Sequence, residues 1–306
     1  MSKRNLFYTI ILCIISLLFS ACGISRFGIV STPIPTTVST NSPIIAPDIT
    51  LQASPTVSTT LTPTVKPIVT PTEIPTAIPT ESVTAKPTAD VTDKGILKGL
   101  KICIDPGHQN KGNYEKELCA PWDDTLKSKC TSGTDGMYTG IEEYVTNLQI
   151  SELIYNKLTA LGAEVLMTRT THDVDISNVE RAQMSNEFGA DFTLRIHCNS
   201  ADSSSAEGID LFVRGEGNST AEYIAQSEFD YEVATRMLDY ICNSTGAKKR
   251  YVHKSDSYTG INWCKGTCII IECGFLSNEK EDKLLNSAEY QEKIAQGITD
   301  YFVSLR

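Results

Sequence analysis

Four segments far apart in this 306-residue chain each carry a side chain able to bind zinc or move a proton. His108 follows Asp105-Pro106-Gly107, a turn that stops the apolar run 100–104 and exposes an imidazole. His197 closes the apolar run 192–196, and Glu272 closes the run 268–271. Glu142 and Glu143 open a long helix-patterned stretch, where a carboxylate is favoured by the helix dipole. Two imidazoles and one carboxylate hold zinc with a fourth position open for water, and a further carboxylate can take and return that water's proton. By residue type alone Glu142 and Glu143 compete for the ligand role. His172 and His253 lack such company and read as packing or solvated residues, with substrate contact open to His253. Arg181 and Arg195 are candidates either for a substrate carboxylate or for pairing with the acidic surface.

Short β-rich runs alternating with helical patterns must position these residues. Strands are expected at 100–104, 163–168, 192–196, 209–213 and 268–271. Helices are expected at 143–161, whose apolar residues follow a helical stripe ended by Gly162, and at 178–189, 227–244 and 280–305, with Ser177 or Asn178 capping the second. Continuous apolar strands alternating with helices predict an α/β domain of three layers, a twisted, mostly parallel sheet covered on both faces. In such sheets the site lies beyond the carboxyl ends of the strands, so one rim can gather His108, His197 and Glu272.

The rest of the chain sets the context. Lys3 and Arg4 precede an apolar stretch from Leu6 to Phe19 that is short for a membrane span, a secretory signal over 1–21. Phe19-Ser20-Ala21-Cys22-Gly23 resembles a bacterial lipobox, which makes Cys22 the expected lipidation site; cleavage without lipidation and an uncleaved anchor are the alternatives, and each exports the chain. Over 22–93 the composition turns to Pro, Thr and Ser: eleven of the thirteen prolines lie between Pro33 and Pro87. Such a segment cannot build a core and reads as a disordered, semi-rigid linker, with a reach on the order of 190 Å for sixty extended residues. Globular composition runs over 94–306. Charges before position 94 balance, so the net −10 falls on the globular part; an acidic domain argues against nucleic acid as a partner. Eight of the ten cysteines lie in that part. Cys119 and Cys130, in an irregular stretch at 117–137, are the expected disulfide pair, while Cys103, Cys198 and Cys273 read as buried thiols.

Ordered motifs carry a resemblance across 97–305: IDPGH at 104–108, EYVTNL at 143–148, MTRTTHDV at 167–174, SNVERA at 177–182, RIHCNS at 195–200, GINWC at 260–264 and IIIECGFLSN at 269–278. The chain resembles the zinc-dependent N-acetylmuramoyl-L-alanine amidases of the type-3 family, bacterial cell-wall hydrolases. By motif, the resemblance implies that His108, Glu143 and His197 bind one Zn2+; Glu143, four residues before Asn147, is thereby chosen over Glu142. It implies that Glu272 is general base and acid, with zinc-bound water attacking the amide between the muramic acid lactyl group and L-alanine of the peptidoglycan stem peptide. It also implies a roughly six-stranded sheet flanked by helices. Arg195, Asn199 and Asn262 are the candidate substrate contacts. The expected partners are peptidoglycan and, through the lipid anchor, the membrane; the expected state is a monomer, exported and facing the cell wall, with secretion as the alternative. Two other functions fit the same residues: a zinc peptidase cutting within the stem peptide, and a non-catalytic wall-binding lipoprotein.

Overall fold

A computed structural model describes residues 95–306; the expected signal, Cys22 and the Pro/Thr-rich linker lie outside the described residues. The strands are β1 (Lys101–Pro106), β2 (Asn113–Ala120), β3 (Asp123–Cys130), β4 (Glu164–Met167), β5 (Phe192–Asn199), β6 (Ile209–Val213), β7 (Lys249–Lys254) and β8 (Thr267–Phe275). The helices are α1 (Glu143–Ala160), α2 (Asn178–Phe188), α3 (Ala221–Thr245), α4 (Thr259–Asn262), α5 (Glu279–Leu285) and α6 (Ala288–Val303). Six strands form one sheet in the order β4-β1-β5-β8-β6-β7. All neighbours run parallel except β6 and β8. The α/β class and the mostly parallel six-stranded sheet are therefore as expected.

Side chains alternate across the strands and divide the sheet into two unlike faces. Ile102, Ile104, Leu194, Ile196, Cys198, Ile209, Leu211, Val213, Ile269, Ile271 and Cys273 join the main core, where they meet Ile150, Ile154 and Leu158 of α1, Met237 and Ile241 of α3, and Ile294, Ile298 and Phe302 of α6. The intervening residues turn the other way. That face has a much smaller apolar cluster, with Ala182 of α2, Ile261 of α4, Cys264, Cys268 and Ile270. The rest of it is polar, and it contains Asp105, Arg195, His197 and Glu272.

Several expectations need correction. The stretch at 117–137 is irregular only in part: β2 and β3 form an antiparallel hairpin, hidden in the sequence by polar residues on an exposed ribbon. Among the described residues Cys119 and Cys130 form no disulfide. Cys130 pairs with Asn113 in the ladder while Cys119 lies near the turn, so they are separated by about 20 Å of ribbon, well beyond disulfide reach. The expected last helix is two, because Asn286 ends α5 and the Ser287 hydroxyl caps α6 by accepting from the Tyr290 amide. Strand β7 was not anticipated. Strands β5 and β8 continue past His197 and Glu272, so these two residues stand within strands near their ends.

Candidate active site

The site forms where the carboxyl ends of β1 and β5 meet the amino end of α1. Past Pro106 the chain turns sharply, and His108 takes φ +60°, the left-handed region that a side chain adopts only under constraint. The constraint comes from two buried arginines. Arg169 Nε donates to the Pro106 carbonyl and Nη2 to those of Gly107 and Tyr144, at 2.8–2.9 Å. Arg181 donates to the carbonyls of Pro106 (2.9 Å) and His108 (3.1 Å). Beneath them Asp105, 1% exposed, accepts from Arg181 and Arg195 at 2.7 Å each and from Thr168 at 2.5 Å. Burial works against its charge, but the two guanidiniums outweigh burial and hold the Asp105 carboxyl well below the usual carboxylate range.

Three donor groups converge above this support. The Nε2 atom of His108 lies 3.2 Å from Glu143 Oε2, and Nδ1 of His197 lies 3.2 Å from Glu143 Oε1. Ligand atoms of all three fall within 4.8 Å of one another. The strap from Thr131 to Glu142 orients them. His108 Nδ1–H donates to the Thr131 carbonyl at 2.9 Å, which leaves Nε2 with its lone pair forward. Glu143, 3% exposed, accepts from the Thr134 amide (3.2 Å), the Asn147 side chain (3.1 Å) and the Cys198 amide (3.1 Å). A side chain at Gly133 would strike Glu143 Oε2 at 2.6 Å, and one at Gly107 would strike the His197 ring at 2.3 Å, so both backbones must come this close bare.

The donor set fits a divalent cation on physical grounds. A His108 lone pair facing a carboxylate oxygen at 3.2 Å is two acceptors in opposition, resolved only by a proton or a cation between them. Burial lowers the His197 pKa to about 4, against the pull of Glu143, so this imidazole is neutral and one of its two nitrogens carries a lone pair able to ligate. Burial also opposes charge on Glu143, yet positive charge and N–H donation at the His108 and His197 positions hold its carboxyl well below the usual range, a demand that a cation between the rings would equally meet. His197 Nε2 is buried with no hydrogen-bond partner among the described residues. Two His nitrogens and one carboxylate are the zinc-hydrolase pattern.

Glu272 stands beside this cluster, because β5 and β8 pair His197 directly with Glu272 and both side chains leave the same face. Its Oε2 is buried and has no hydrogen-bond partner among the described residues. Burial first, then the carboxylates of Glu143 and Asp210, push its pKa well above the ordinary value. A carboxyl so placed is poised to exchange protons with a group at the cluster.

The other candidates lie elsewhere. Arg195 is 5% exposed and committed to Asp105 and the Asn178 side chain, so it supports the site from below rather than facing a substrate. Asn262 is 4% exposed; its amide donates to the carbonyls of Cys119 and Asp256, tying α4 to the hairpin. Asn199 ends β5, half-buried at the rim, with its side-chain oxygen accepting from the Ser200 amide at 2.8 Å. His172 packs edge-on to Tyr144 and is not part of the cluster, and His253, on β7 three strands from the β5 strand of His197, is held by Asp210. Thr131, Gly133, Asn147 and Arg169 were not singled out in the sequence. Asn147 had a signal, standing one helical turn after Glu143; Thr131 contributes a backbone carbonyl, which no residue type announces.

A twisted, mostly parallel sheet with a His/Glu/His cluster at its carboxyl rim defines an α/β domain with a candidate cation site. The chain belongs to the N-acetylmuramoyl-L-alanine amidase family (Amidase_3), whose pattern matches residues 102–301. It is 28% identical over 211 residues to the N-acetylmuramoyl-L-alanine amidase LytC of Bacillus subtilis, covering 69% of this chain and 36% of that one. It is 31% identical to the germination-specific N-acetylmuramoyl-L-alanine amidase of the same organism, covering 67% of this chain and 81% of the relative. A crystal structure of the N-acetylmuramoyl-L-alanine amidase from Clostridium difficile 630 superposes with a TM-score of 0.54 at 25% identity, covering 67% of this chain and 95% of that one. The chain thus spans about a third of the length of LytC.

Proposed function

We propose that this protein is a zinc-dependent amidase that hydrolyses the bond between the N-acetylmuramic acid lactyl group and L-alanine of the peptidoglycan stem peptide. The observation that carries the reading is the convergence of His108, Glu143 and His197 beside a half-buried Glu272 whose Oε2 is buried and has no hydrogen-bond partner among the described residues. His108, Glu143 and His197 would hold zinc, which when bound supplies a Lewis acid that polarises the amide carbonyl and makes an attacking water acidic. Glu272 takes the water's proton and delivers it to the leaving amine of L-alanine; its high proton affinity suits the second act as well as the first. The Thr131 carbonyl and the Thr134 amide keep His108 and Glu143 oriented through both steps.

The N-terminal readings enter as part of this proposal. Cys22 would carry the lipid, residues 22–93 would act as a tether, and 94–306 would be the catalytic domain, holding the enzyme at the membrane while it works in the wall as a monomer. Among the described residues no helix is long and apolar enough to cross a membrane.

The test is to incubate the zinc-loaded full chain with peptidoglycan, with and without chelator, and to identify the released fragments by mass spectrometry. Stem peptides with a free L-alanine amine, released only with metal present, are the expected product. Metal-dependent cuts inside the stem would replace the reading with a peptidase, and no product from folded, zinc-loaded protein would replace it with a binding role.

A further inference from the structure

The polar face of the sheet continues beyond Glu272 across β6 and β7 to the open edge. Antiparallel pairing sets Asp210 of β6 opposite Glu272, and Phe212, two residues on, leaves the same face. Four rings then follow one another outward. Tyr258, at the start of α4, lies 5.1 Å from Phe212; Phe212 stacks on His253 of β7 at 4.6 Å and 21°; His253 meets Tyr251 at 5.8 Å. Exposure rises along the series. Tyr258 and Phe212 are half-buried, the His253 side chain is 39% exposed and Tyr251 is 66% exposed.

The polar groups along this strip are already arranged. His253 Nε2 donates to Asp210 at 2.9 Å, which fixes the ring on Phe212 and leaves Nδ1 to accept a hydrogen from a ligand. Every cation of β7 is paired: Lys249 with Asp239, Arg250 with Asp210, and Lys254 with Glu216 and Glu228. The strip therefore offers the exposed Tyr251 ring, the rim of the Phe212–His253 stack and hydrogen-bonding atoms, while every β7 cation is committed. A stem peptide with several carboxylates gains little there. A pyranose chain matches it: its C–H faces are apolar and weakly positive, complementary to the negative face of an aromatic ring, and its hydroxyls suit the imidazole nitrogen. With its lactyl group held in the amide, the glycan of the substrate is also uncharged.

We infer that the strip Tyr258–Phe212–His253–Tyr251 is a glycan subsite, which carries the neutral sugar strand away from Glu272 and leaves the stem peptide to the other side of the cluster. This assignment rests on the amidase reading for its substrate, but its test does not depend on turnover. A neutral tetramer of N-acetylglucosamine is titrated into the full chain by calorimetry. Tyr251→Ala should weaken its binding by about three- to tenfold, as expected for loss of one ring contact, and Tyr251→Phe should restore wild-type affinity. His253→Ala should weaken it to a similar degree, with thermal melting confirming that each variant is folded. On glycan-borne substrate the Tyr251→Ala change should appear in KM and not in kcat. Binding of the tetramer that is indifferent to both alanine substitutions, or no binding of it at all, overturns the subsite. So does a free stem peptide whose binding falls in the same variants while the tetramer's does not. A chain that binds the sugar through Tyr251 yet hydrolyses nothing would sink the amidase reading alone; hydrolysis with a KM unmoved by Tyr251→Ala would sink the subsite alone.

Discussion

The two faces of the central sheet hold together by different physics. Under α1, α3 and α6 the face is aliphatic and almost free of polar atoms, stabilised by non-directional burial that tolerates small displacements. Under α2, α4 and the hairpin the sheet presents Asp105, Arg195, His197 and Glu272, and directional bonds replace much of the apolar contact. Buried charge is costly unless it is paired. Asp105 meets this condition with two guanidiniums, whereas Glu272 does not, and its isolation is what gives it a raised proton affinity. One face secures the fold, and the other accepts a local penalty so that reactive groups can stand at defined positions.

The sharpest way to break this contrast is at Glu272. Glu272→Gln should lower amide hydrolysis by about 10^3-fold, in the range for loss of a general base. The same change should leave the metal-free chain as stable as before or more so. A carboxyl whose folded pKa is raised destabilises the fold increasingly as pH climbs above the ordinary carboxylate range, and glutamine removes that penalty. A thermal melt at neutral pH that falls on substitution would show that Glu272 is structurally satisfied after all.

Next in size are paired substitutions, one on each face. Arg181→Met should cost about 3 kcal/mol, because Asp105 stays buried with one guanidinium fewer, and it should also weaken zinc binding by releasing the Pro106 and His108 carbonyls. Leu158→Ala on the aliphatic face should cost a similar 2–5 kcal/mol yet leave kcat per folded molecule and zinc affinity unchanged. Urea unfolding and metal titration on both variants separate the faces. Equal losses of metal affinity would mean that the faces are not independent.

The smallest effect expected is a slope. Because the folded Asp105 carboxyl titrates far below its ordinary value, its contribution is complete above the ordinary carboxylate range and is lost as pH falls through the folded value. Asp105→Asn should therefore flatten the fall in urea midpoint below about pH 4. An unchanged slope would assign acid unfolding to other carboxylates.

Reading from sequence reached some of these features and missed others for identifiable reasons. His108, His197 and Glu272 were legible because each stands against an apolar run whose strand character is local. Strand β7, Lys-Arg-Tyr-Val-His-Lys, has no such run, since it is an edge strand with charged side chains along it. The hairpin was hidden for the same reason. Arg195 is a candidate substrate contact by residue type; it leaves the same face of β5 as His197, but α2 and α4 cover that face and its guanidinium ends on Asp105 and Asn178.

By itself the sequence determined the donor types, the α/β class and the rim where strands end, all of which follow from short motifs and local periodicity. Only the tertiary structure decided which atoms face one another: that Thr131 orients His108, that Arg169 and Arg181 hold a left-handed His108, and that Glu272 Oε2 is left without a partner among the described residues. Those facts depend on contacts between residues some 20 to 75 positions apart in the chain, and no local pattern records where a carbonyl or a guanidinium will finally point.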